Sequence, residues 1–595
     1  MRINKNVAII LLLLTVILVN YANIFPNEFV WDDNTFITSN RKITSFEYIF
    51  YHFTHESRNS LWRPLRETLY IFTYSVWGLN TFGYHMDAIL LHSLIVILIF
   101  YIISSITKNK EIALFSALLF AAHPVHIERV TNMTGSFDML GLLFFLVSFF
   151  LFIKFRQINK KKYYFLSVLF YILSLLSSEE AITFVGILFL YDLVFANLIH
   201  FSKIKKLIKE HSVFVVITAL YVITHIIITG RIGRTLTYFE DSFYITFLNT
   251  IKAIIFYVKL LILPLNLSIY QALPKATSIL SISFIISFFT LIFLIYLTIL
   301  SFKKSKIIFF SLGWFFITMF LFYNFIPKLT LLADRYMYFP SIGFALLLGY
   351  LIFRIRDIEF FKKYGKTVSI IVLLIILIFY STLTIKRNTD WRNEETLLKK
   401  AVETSPLSTN AYWALASYYE KIKNYELAKY NLHEAINLSQ RNYIALELLG
   451  VVYAETGDYE NAVFYLKRAI EMAPPEEGGY YRANNDLGLV YSYIGDFNNS
   501  LYYLKKAIEI DPELSKAYND LGIVYAQMGN FDAAIDEINK AIEINPYETD
   551  YYYNLAVIYE FLGEKEKAEN LLLKALEIEP NNNKVRNKLV NLKSK

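Results

Sequence analysis

The sequence predicts an all-α protein in which a polytopic bundle of transmembrane helices precedes an α-solenoid of short repeats. Of its 595 residues, 55% are hydrophobic, 17% are aromatic and only 18% are charged, a balance that soluble globular proteins rarely show. Long apolar runs fill residues 1–386, whereas the rest of the chain is rich in Lys, Glu, Asn and Tyr and is internally repetitive. We therefore expect one membrane-embedded part and one water-exposed part.

The basic residues do not indicate a nucleic-acid partner, although the formal net charge is +7. Much of the Lys and Arg falls in short loops between apolar runs, where it orients a membrane protein. The absence of cysteine excludes disulfides and thiolate metal sites. The first apolar run, "VAIILLLLTVILV" after Lys5, has no small-residue cleavage site behind it and is predicted to be an uncleaved first helix.

About eleven apolar segments are long enough to cross some 30 Å of hydrocarbon. They centre on residues 7–23, 85–105, 112–126, 139–155, 163–178, 181–200, 212–229, 277–301, 307–326, 336–353 and 368–386. A twelfth candidate, residues 243–264, is interrupted by Asn249, Lys252 and Lys259. Its status decides on which side of the membrane all later segments lie.

The loops between these segments indicate how the twelfth candidate should be counted. Basic clusters occur at Lys108 and Lys110, Lys154–Lys162, Lys203–Lys209, Lys303–Lys306 and Arg354–Lys366. They share the cytoplasmic side, as basic loops prefer, only if residues 243–264 make no net crossing. We therefore predict a re-entrant or interfacial helix there.

This count predicts a multi-pass protein of the plasma (cytoplasmic) membrane with two extracytoplasmic regions. One is the loop at residues 24–84, called the acidic loop below. The other is everything after residue 386. We divide the chain into a transmembrane domain (1–386), a junction (387–408) and a repeat array (409–595).

The repeat array has a period of 34 residues, as a comparison of two of its segments indicates. "NDLGLVYSYIGDFNNSLYYLKKAIEIDP" (485–512) aligns with "NDLGIVYAQMGNFDAAIDEINKAIEINP" (519–546). This period and these residue types are the signature of tetratricopeptide repeats, each made of two antiparallel helices. Five units are predicted to begin near residues 409, 443, 481, 515 and 549.

Such arrays present a concave groove that binds an extended chain. Asn485 and Asn519 recur one repeat apart on first helices, where side chains tend to face the groove. We predict that they hydrogen-bond the backbone of a peptide or protein partner. Ordinary surface polarity is the alternative.

The acidic loop carries two adjacent aspartates, Asp32 and Asp33, beside Trp31. Other predicted outer ends are also polar, as in "AAHPVHIERVTNMTGSFDML" (121–140), "SSEEAIT" (177–183) and "LLADRYMYFPSIG" (331–343). Ionisable residues near the membrane plane are costly and usually functional. Carboxylates, histidines and arginines gathered there suit a lipid-phosphate substrate, because cations hold the phosphate while a carboxylate handles a proton or a metal ion.

Four stretches of the chain resemble the transmembrane and tetratricopeptide-repeat O-mannosyltransferases, a GT-C type family that uses polyprenyl-phosphate sugars. They are "WRPLRETLYIFTYSVWGLNTFGYHMDAILLH" (62–92), "AAHPVHIERV" (121–130), "ADRYMYFPSIGF" (333–344) and "RNTDWRNEETLLKKAVETSP" (387–406). The resemblance implies a GT-C-like membrane domain and transfer of a sugar, by default mannose, to Ser or Thr hydroxyls of exported proteins held by the repeats.

The resemblance also implies roles for individual residues. Asp32 and Asp33 fall where the family has its catalytic acidic pair, so that one of them is expected to be the base for the acceptor hydroxyl, or a metal ligand near the donor phosphate. The residues expected to bind the donor phosphate are Arg63, Arg129 and Arg335, and those expected to support the site are Glu128, His123, His126 and Asp334. No cofactor is predicted firmly, and a divalent ion, Mn²⁺ or Mg²⁺, is left open.

The chain also departs from the family at two points. Ser136 stands where the family commonly has an arginine after Gly135, and Glu179 stands where it has a lysine after Ser178. Two cations that could face phosphate are therefore missing, which keeps open a catalytically silent membrane scaffold that recruits partners through its repeats. A further alternative is a ligase or polymerase of lipid-linked glycans, which can also combine many spans with repeats; the long acidic loop and the aspartate pair argue against it.

Overall fold

The computed structural model describes residues 5–57, 61–195, 201–231, 238, 242–326, 330–361, 363–475 and 478–594. Within these residues the regular elements are helices, apart from an isolated bridge between Ser57 and Leu61, and the predicted all-α class is confirmed. The end of the predicted span 181–200 lies outside the described residues. The side chains of residues 203–206, at the start of the predicted basic cluster Lys203–Lys209, also lie outside the description.

The chain forms two compact units, Met1–Pro406 and Leu407–Lys595. The first unit contains seventeen α-helices among the described residues. They are α1 Lys5–Tyr21, α2 Tyr48–Thr54, α3 Pro64–Trp77, α4 Thr81–Thr107, α5 Lys110–Ala122, α6 Ile127–Val130, α7 Met133–Phe137, α8 Met139–Ile158, α9 Lys161–Ser177, α10 Phe184–Phe195, α11 Phe201–Thr229, α12 Phe243–Ile262, α13 Ile282–Lys304, α14 Lys306–Thr318, α15 Ser341–Arg354, α16 Gly365–Asn388 and α17 Glu394–Thr404.

Seven helices of the described chain are long and apolar enough to cross a membrane, or eight if the bent pair Lys110–Ala122 and Pro124–Val130 forms one span. The predicted number of about eleven is therefore not confirmed. Several predicted spans are short helices, among them α9 with 17 residues and α14 with 13. At 1.5 Å per residue they extend roughly 20 to 26 Å, less than the hydrocarbon thickness.

Helix α12 coincides with the twelfth candidate, and both of its ends contact loops. Near its start, the Tyr244 hydroxyl accepts a hydrogen bond from Ile279 N (3.1 Å), and near its end the Leu261 carbonyl lies 2.9 Å from His123 Nε2. Ile279 precedes α13 and His123 follows α5, so each lies at the helix end remote from the basic residues. These contacts favour a helix without net crossing, although its length and composition also permit a span.

The acidic loop is joined to the junction by a set of hydrogen bonds that we call the seam. Asn27 Nδ2 donates to the Asn388 carbonyl (3.2 Å), and Glu28 N donates to the Arg392 carbonyl (3.0 Å). Asn388 is fully buried at the end of α16. The first part of the junction therefore packs with the membrane unit.

The second unit consists of five helix pairs and a final helix. They are α18 Thr409–Lys421, α19 Tyr425–Leu438, α20 Tyr443–Glu455, α21 Tyr459–Met472, α22 Gly478–Ile494, α23 Phe497–Ile510, α24 Ser515–Gln527, α25 Phe531–Ile544, α26 Thr549–Phe561, α27 Lys565–Ile578 and α28 Asn583–Ser594. Within a pair the helices approach closely at small residues: a Cβ on Gly488 would lie only 2.7 Å from Leu504 Cγ. The predicted solenoid is confirmed.

Candidate functional site

Trp31 gives the acidic loop an uncommon backbone conformation. Its φ is 55°, in the left-handed region that a bulky side chain rarely adopts. Its indole Nε1 donates to the Tyr270 hydroxyl (2.9 Å), and its ring lies 6.4 Å from that of Trp391. Strain of this kind persists where surrounding contacts fix it, and it is frequent at functional sites.

Asp33 is the buried member of the acidic pair. Its Oδ1 accepts hydrogen bonds from the Thr134 backbone N–H and hydroxyl, both 2.7 Å, and its Oδ2 accepts one from Val30 N (3.1 Å). Burial raises its pKa to about 7, against the lowering effect of these hydrogen bonds. The carboxyl of Asp33 therefore holds the turn around Trp31 against α7.

Asp32, in contrast, is only half-buried. Burial lowers the pKa of Arg335, but Glu128, Tyr336 and Asp32 together hold it above its ordinary value. Burial raises the pKa of Tyr270, and the charge of Asp32 raises it further. The charge of the Asp32 carboxylate thus acts on the guanidinium of Arg335 and on the phenol of Tyr270.

Two of the predicted phosphate-binding arginines lie in a set of ion pairs that we call the arginine frame. Arg63 donates to Asp138 (2.5 Å) and, through two nitrogens, to Glu179 (2.6 and 2.7 Å). Arg129 donates to Asp138 and to Glu180 (2.5 Å). Both arginines are at most 6% exposed, so these carboxylates already compensate their charge. The frame ties the start of α3 to α8 and to the turn after α9.

The third predicted phosphate-binding residue is more accessible. Arg335 pairs with Glu128 through Nη1 (2.5 Å) and through its backbone N–H (2.9 Å), and its side chain stays 21% exposed. Its guanidinium lies 5.5 Å from the centre of the Trp31 ring. Among the three arginines, Arg335 is therefore the one placed beside the acidic pair.

The remaining predicted site residues are held by internal contacts. His123 Nδ1 accepts from Val125 N (3.2 Å), which leaves Nε2–H to donate to Leu261, and His126 Nε2 lies 2.8 Å from the Ser341 hydroxyl. No group of three or more His, Asp or Glu side chains that could hold a metal ion occurs among the described residues. Metal dependence stays a prediction.

Asp334 lies in the wall of a shallow pocket that is partly open to solvent and has room for about one water molecule. Its Oδ2 accepts from Ser268 N (2.8 Å) and its Oδ1 from Gln271 (3.0 Å), while burial and the charge of Glu128 raise its pKa to about 7. The pocket is lined by Pro124, Val125, Ile127, Glu128, Leu267, Ser268, Ile269, Asp334, Arg387 and Trp391. It thus brings the motif at 121–130 together with the motif at 333–344 and the junction.

Several residues of this region are missing from the sequence prediction. Thr134 and Tyr270 hold the acidic turn, and Trp391 lines the pocket. Trp391 stands in a motif that the resemblance singles out, which is a signal that could have found it. Tyr270 lies in a stretch without a motif, and only the folded chain brings it to the site.

In the repeat array, Asn485 and Asn519 are buried between first helices. Asn485 Nδ2 donates to Asp520 (2.8 Å), and Asn519 donates to Asp520 (3.1 Å) and accepts from Asn554 (2.9 Å). At 1% and 5% exposure, these side chains link neighbouring repeats. Their predicted binding of a peptide stays a prediction.

Some of the comparisons with known proteins match the repeat array, and others extend into the membrane unit. A tetratricopeptide-repeat family model matches residues 443–513, 481–546 and 513–580. Among solved structures, the TPR protein TTC0263 of Thermus thermophilus is 20% identical, with a TM-score of 0.30, and the match covers 31% of this chain and 98% of that one. A MamA structure is 26% identical, with a TM-score of 0.24 and coverage of 30% and 94%. These likenesses concern the repeat array alone.

Curated relatives extend the similarity into the membrane unit. Protein O-mannosyl-transferase F38B6.6 of Caenorhabditis elegans is 25% identical over 68% of this chain and 59% of its own length. TMTC3 of Homo sapiens is 25% identical, with coverage of 71% and 51%, and TMTC4 of Homo sapiens is 28% identical, with coverage of 67% and 62%. In each case the match covers less than two thirds of the relative.

The fold and the site define a class: helical membrane proteins with a polar site beside the helix ends, followed in the chain by a tetratricopeptide array. Within this class, the relatives confirm the resemblance of the chain to the transmembrane and tetratricopeptide-repeat O-mannosyltransferases.

Proposed function

We propose that the protein is a membrane glycosyltransferase that moves one sugar from a polyprenyl-phosphate donor to a Ser or Thr hydroxyl of an exported protein. The observation that carries the proposal is the asymmetric acidic pair: hydrogen bonds from Thr134 and Val30 fix Asp33, whereas the half-buried Asp32 acts electrostatically on Arg335. The names of the relatives, protein O-mannosyl-transferases, support the type of reaction and make mannose the first sugar to test.

In the proposed mechanism Asp32 is the general base. Its carboxylate takes the proton as the O–H bond of the acceptor breaks, and the acceptor oxygen forms a bond to the anomeric carbon. The bond from that carbon to the phosphate oxygen breaks in the same step, and polyprenyl phosphate leaves. A single displacement of this kind inverts the anomeric configuration. Asp33 acts as a positioning residue through the turn that it holds.

Arg335 is the cation proposed to stabilise the departing phosphate. An arginine beside developing negative charge lowers the barrier in a water-poor site, provided that it is already oriented. Its pairing with Glu128 supplies that orientation while part of its side chain stays exposed. Arg63 and Arg129 are proposed to maintain the site indirectly, because the carboxylates of the arginine frame occupy their donors.

The acceptor is proposed to be an extended segment captured by the repeat array, with the acidic loop and the array on the extracytoplasmic side of the plasma membrane. Tetratricopeptide arrays normally bind extended chains, which supports this assignment. The lipid donor would reach the site from the bilayer.

The test is mass spectrometry of exported proteins from cells with and without the gene. We expect Ser- or Thr-linked hexose to be lost from a subset of these proteins in the deletion strain. It should return with the wild-type gene, and not with a gene encoding Asp32→Asn. An unchanged set of modified peptides contradicts the proposed function and favours the scaffold.

A further inference from the structure

Helix α3 buries its charged side chains and exposes large apolar ones. Arg66, Glu67 and Thr73 are at most 3% exposed, whereas Phe72 is 50% exposed and Val76 is 69% exposed. A helix on the surface of a soluble domain has the opposite arrangement, with its apolar stripe turned to the core and its polar stripe to water. The exposed side of α3 therefore suits an apolar surrounding.

Other exposed apolar side chains continue this side of α3 in both directions. The exposed Phe46 precedes α2, and its ring lies 5.4 Å from that of Phe72. Phe50, within α2, is 83% exposed. Leu79 and Phe82 follow the end of α3 and are exposed as well. We call the surface made by Phe46, Phe50, Phe72, Val76, Leu79 and Phe82 the aromatic face.

The aromatic face is continuous with a helix that can cross the membrane. Trp77 at the end of α3 packs on Gly83 of α4 so closely that a Cβ on Gly83 would lie 2.1 Å from Trp77 Cγ. From Phe82 onward, α4 exposes Met86 and Leu90 at a spacing of four residues, which keeps them on one side of the helix. Helix α4 is long and apolar enough to span a bilayer. The apolar surface of the acidic loop thus joins the surface that a spanning α4 presents to lipid.

We propose that the aromatic face is immersed in the bilayer leaflet in which α4 begins, so that the acidic loop binds a lipid surface. Large exposed apolar patches mark interaction sites, and aromatic side chains are enriched at the boundary between acyl chains and headgroups. Arg41 and Lys42, exposed shortly before Phe46, suit the headgroup layer. The inference does not depend on the proposed reaction.

Immersion of this face sets the depth of the acidic pair, because the other side of α3 packs against the acidic turn. Phe36, soon after the pair, belongs to one buried cluster with Tyr70 and Ile71 of α3. The Tyr70 hydroxyl also donates to the Thr134 carbonyl (3.2 Å), and the Thr134 hydroxyl donates to Asp33. Helix α3 therefore connects the aromatic face to the turn and holds the turn close to the headgroup layer.

The test uses spin labels in the full chain, which contains no cysteine. Phe72→Cys and Val76→Cys are labelled with a nitroxide and reconstituted in phosphatidylcholine vesicles. Oxygen concentrates in the bilayer, whereas a hydrophilic nickel chelate stays in water. Relaxation of the label by oxygen should exceed relaxation by nickel several-fold at both positions, as at the reference Leu90→Cys on α4. The order should be reversed at the control Thr38→Cys, an exposed position of the same loop.

Quenching by lipids gives a second measurement. A bimane fluorophore on Phe72→Cys should be quenched more by phosphatidylcholine brominated near the headgroup end of its acyl chains than by the same lipid brominated near the chain ends. The fluorophore on Thr38→Cys should be quenched by neither. The substituted side chains are exposed, so the variants should fold, and Leu79→Cys replaces Val76→Cys if the latter does not.

Three outcomes contradict the proposal. Stronger relaxation by nickel than by oxygen at Phe72→Cys and Val76→Cys shows that α3 lies in water. Protection from both reagents, with spectra broadened by a neighbouring nitroxide, shows that a second copy of the chain covers the aromatic face. Protection without broadening shows that another segment of the same chain covers it, and the inference is then wrong as well.

Discussion

The acidic pair shows how two identical, adjacent side chains acquire different roles. The carboxylate oxygens of Asp33 accept three hydrogen bonds from Thr134 and Val30. The half-buried Asp32, in contrast, acts electrostatically on Arg335. A carboxylate that accepts several internal hydrogen bonds cannot easily approach a substrate. Stability and chemistry are therefore divided between the two residues.

This division predicts different effects of the same substitution. Asp32→Asn should reduce transfer by about a hundredfold or more, the usual scale for loss of a general base. Asp33→Asn replaces one of the two carboxylate oxygens by an amide N–H₂. The donor that faced that oxygen, on Thr134 or Val30, then lacks an acceptor, which should cost about 1–3 kcal/mol of stability. Thermal unfolding in detergent and transfer to a synthetic peptide measure the two effects.

A suitable control for this experiment is Asp357→Asn. Asp357 is half-exposed, pairs with Arg354, and follows α15 at its basic end. It should change neither quantity by much, since exposed ion pairs contribute little. Equal losses of activity and equal losses of stability in the two site variants contradict the division.

Among the elements, α12 decides the topology of everything that follows it. One end of α12 contacts Ile279 before α13, and the other end contacts His123 after α5. Both residues lie at helix ends without basic residues, which favours a path of α12 along one membrane surface. Its buried polar residues have local partners: Asn249, for example, exchanges two hydrogen bonds of 2.9 Å with the backbone of Ala276. An interfacial helix packed against protein accommodates such groups more readily than a lipid-facing span.

Single cysteines test this topology, because the natural chain has none. Exposed positions are available at Thr38 in the acidic loop, Lys304 at the end of α13 and Asn581 in the array. An impermeant thiol reagent added to intact cells should label Thr38→Cys and Asn581→Cys and leave Lys304→Cys unlabelled. Permeabilised cells provide the control in which all three are labelled.

A crossing by α12 gives a different pattern. In that case Lys304→Cys is labelled in intact cells and Asn581→Cys is not, while Thr38→Cys stays labelled. That outcome separates the acidic loop from the array by the membrane, and the proposed presentation of the acceptor is then excluded.

At the scale of the whole molecule, the array is a compact unit whose buried amides connect successive repeats. We expect a fragment of residues 407–595 to fold alone, because each helix pair packs on the next. In this fragment Asn519→Ala should cost about 1–3 kcal/mol, since it removes a hydrogen bond to the buried Asp520 and one from the partly buried Asn554. Asn485→Ala should cost less, because its Oδ1 has no partner to lose.

Urea unfolding followed by circular dichroism measures these changes, with the exposed Asn570→Ala as the control. Weaker binding of an acceptor peptide at unchanged stability would instead support the groove-facing role that the sequence predicts for both asparagines. Unchanged stability and unchanged binding would contradict both roles.

The sequence predicts those features of the protein that depend on periodicity and composition. The 34-residue repeat determines the helix pairs, and the polar ends of apolar runs indicate that Arg63, Arg129 and Glu128 lie near one another. Which groups pair depends on how helices distant in sequence pack, so the sharing of Asp138 by Arg63 and Arg129 could not be predicted. Nor does a repeat period show which way Asn485 faces, because one residue turns a helix by about 100°.

The seam between the acidic loop and the junction has a consequence for biosynthesis. Asn27 and its partner Asn388 are 361 positions apart, so the bond joins one residue to another that is synthesised much later. A chain that emerges from the ribosome in order completes α16 before this edge of the loop can close. Ribosome-bound or prematurely ended chains that stop before Asn388 therefore carry both aspartates with one edge of their loop open. The nascent protein acquires its finished site only when the last membrane helix has been delivered.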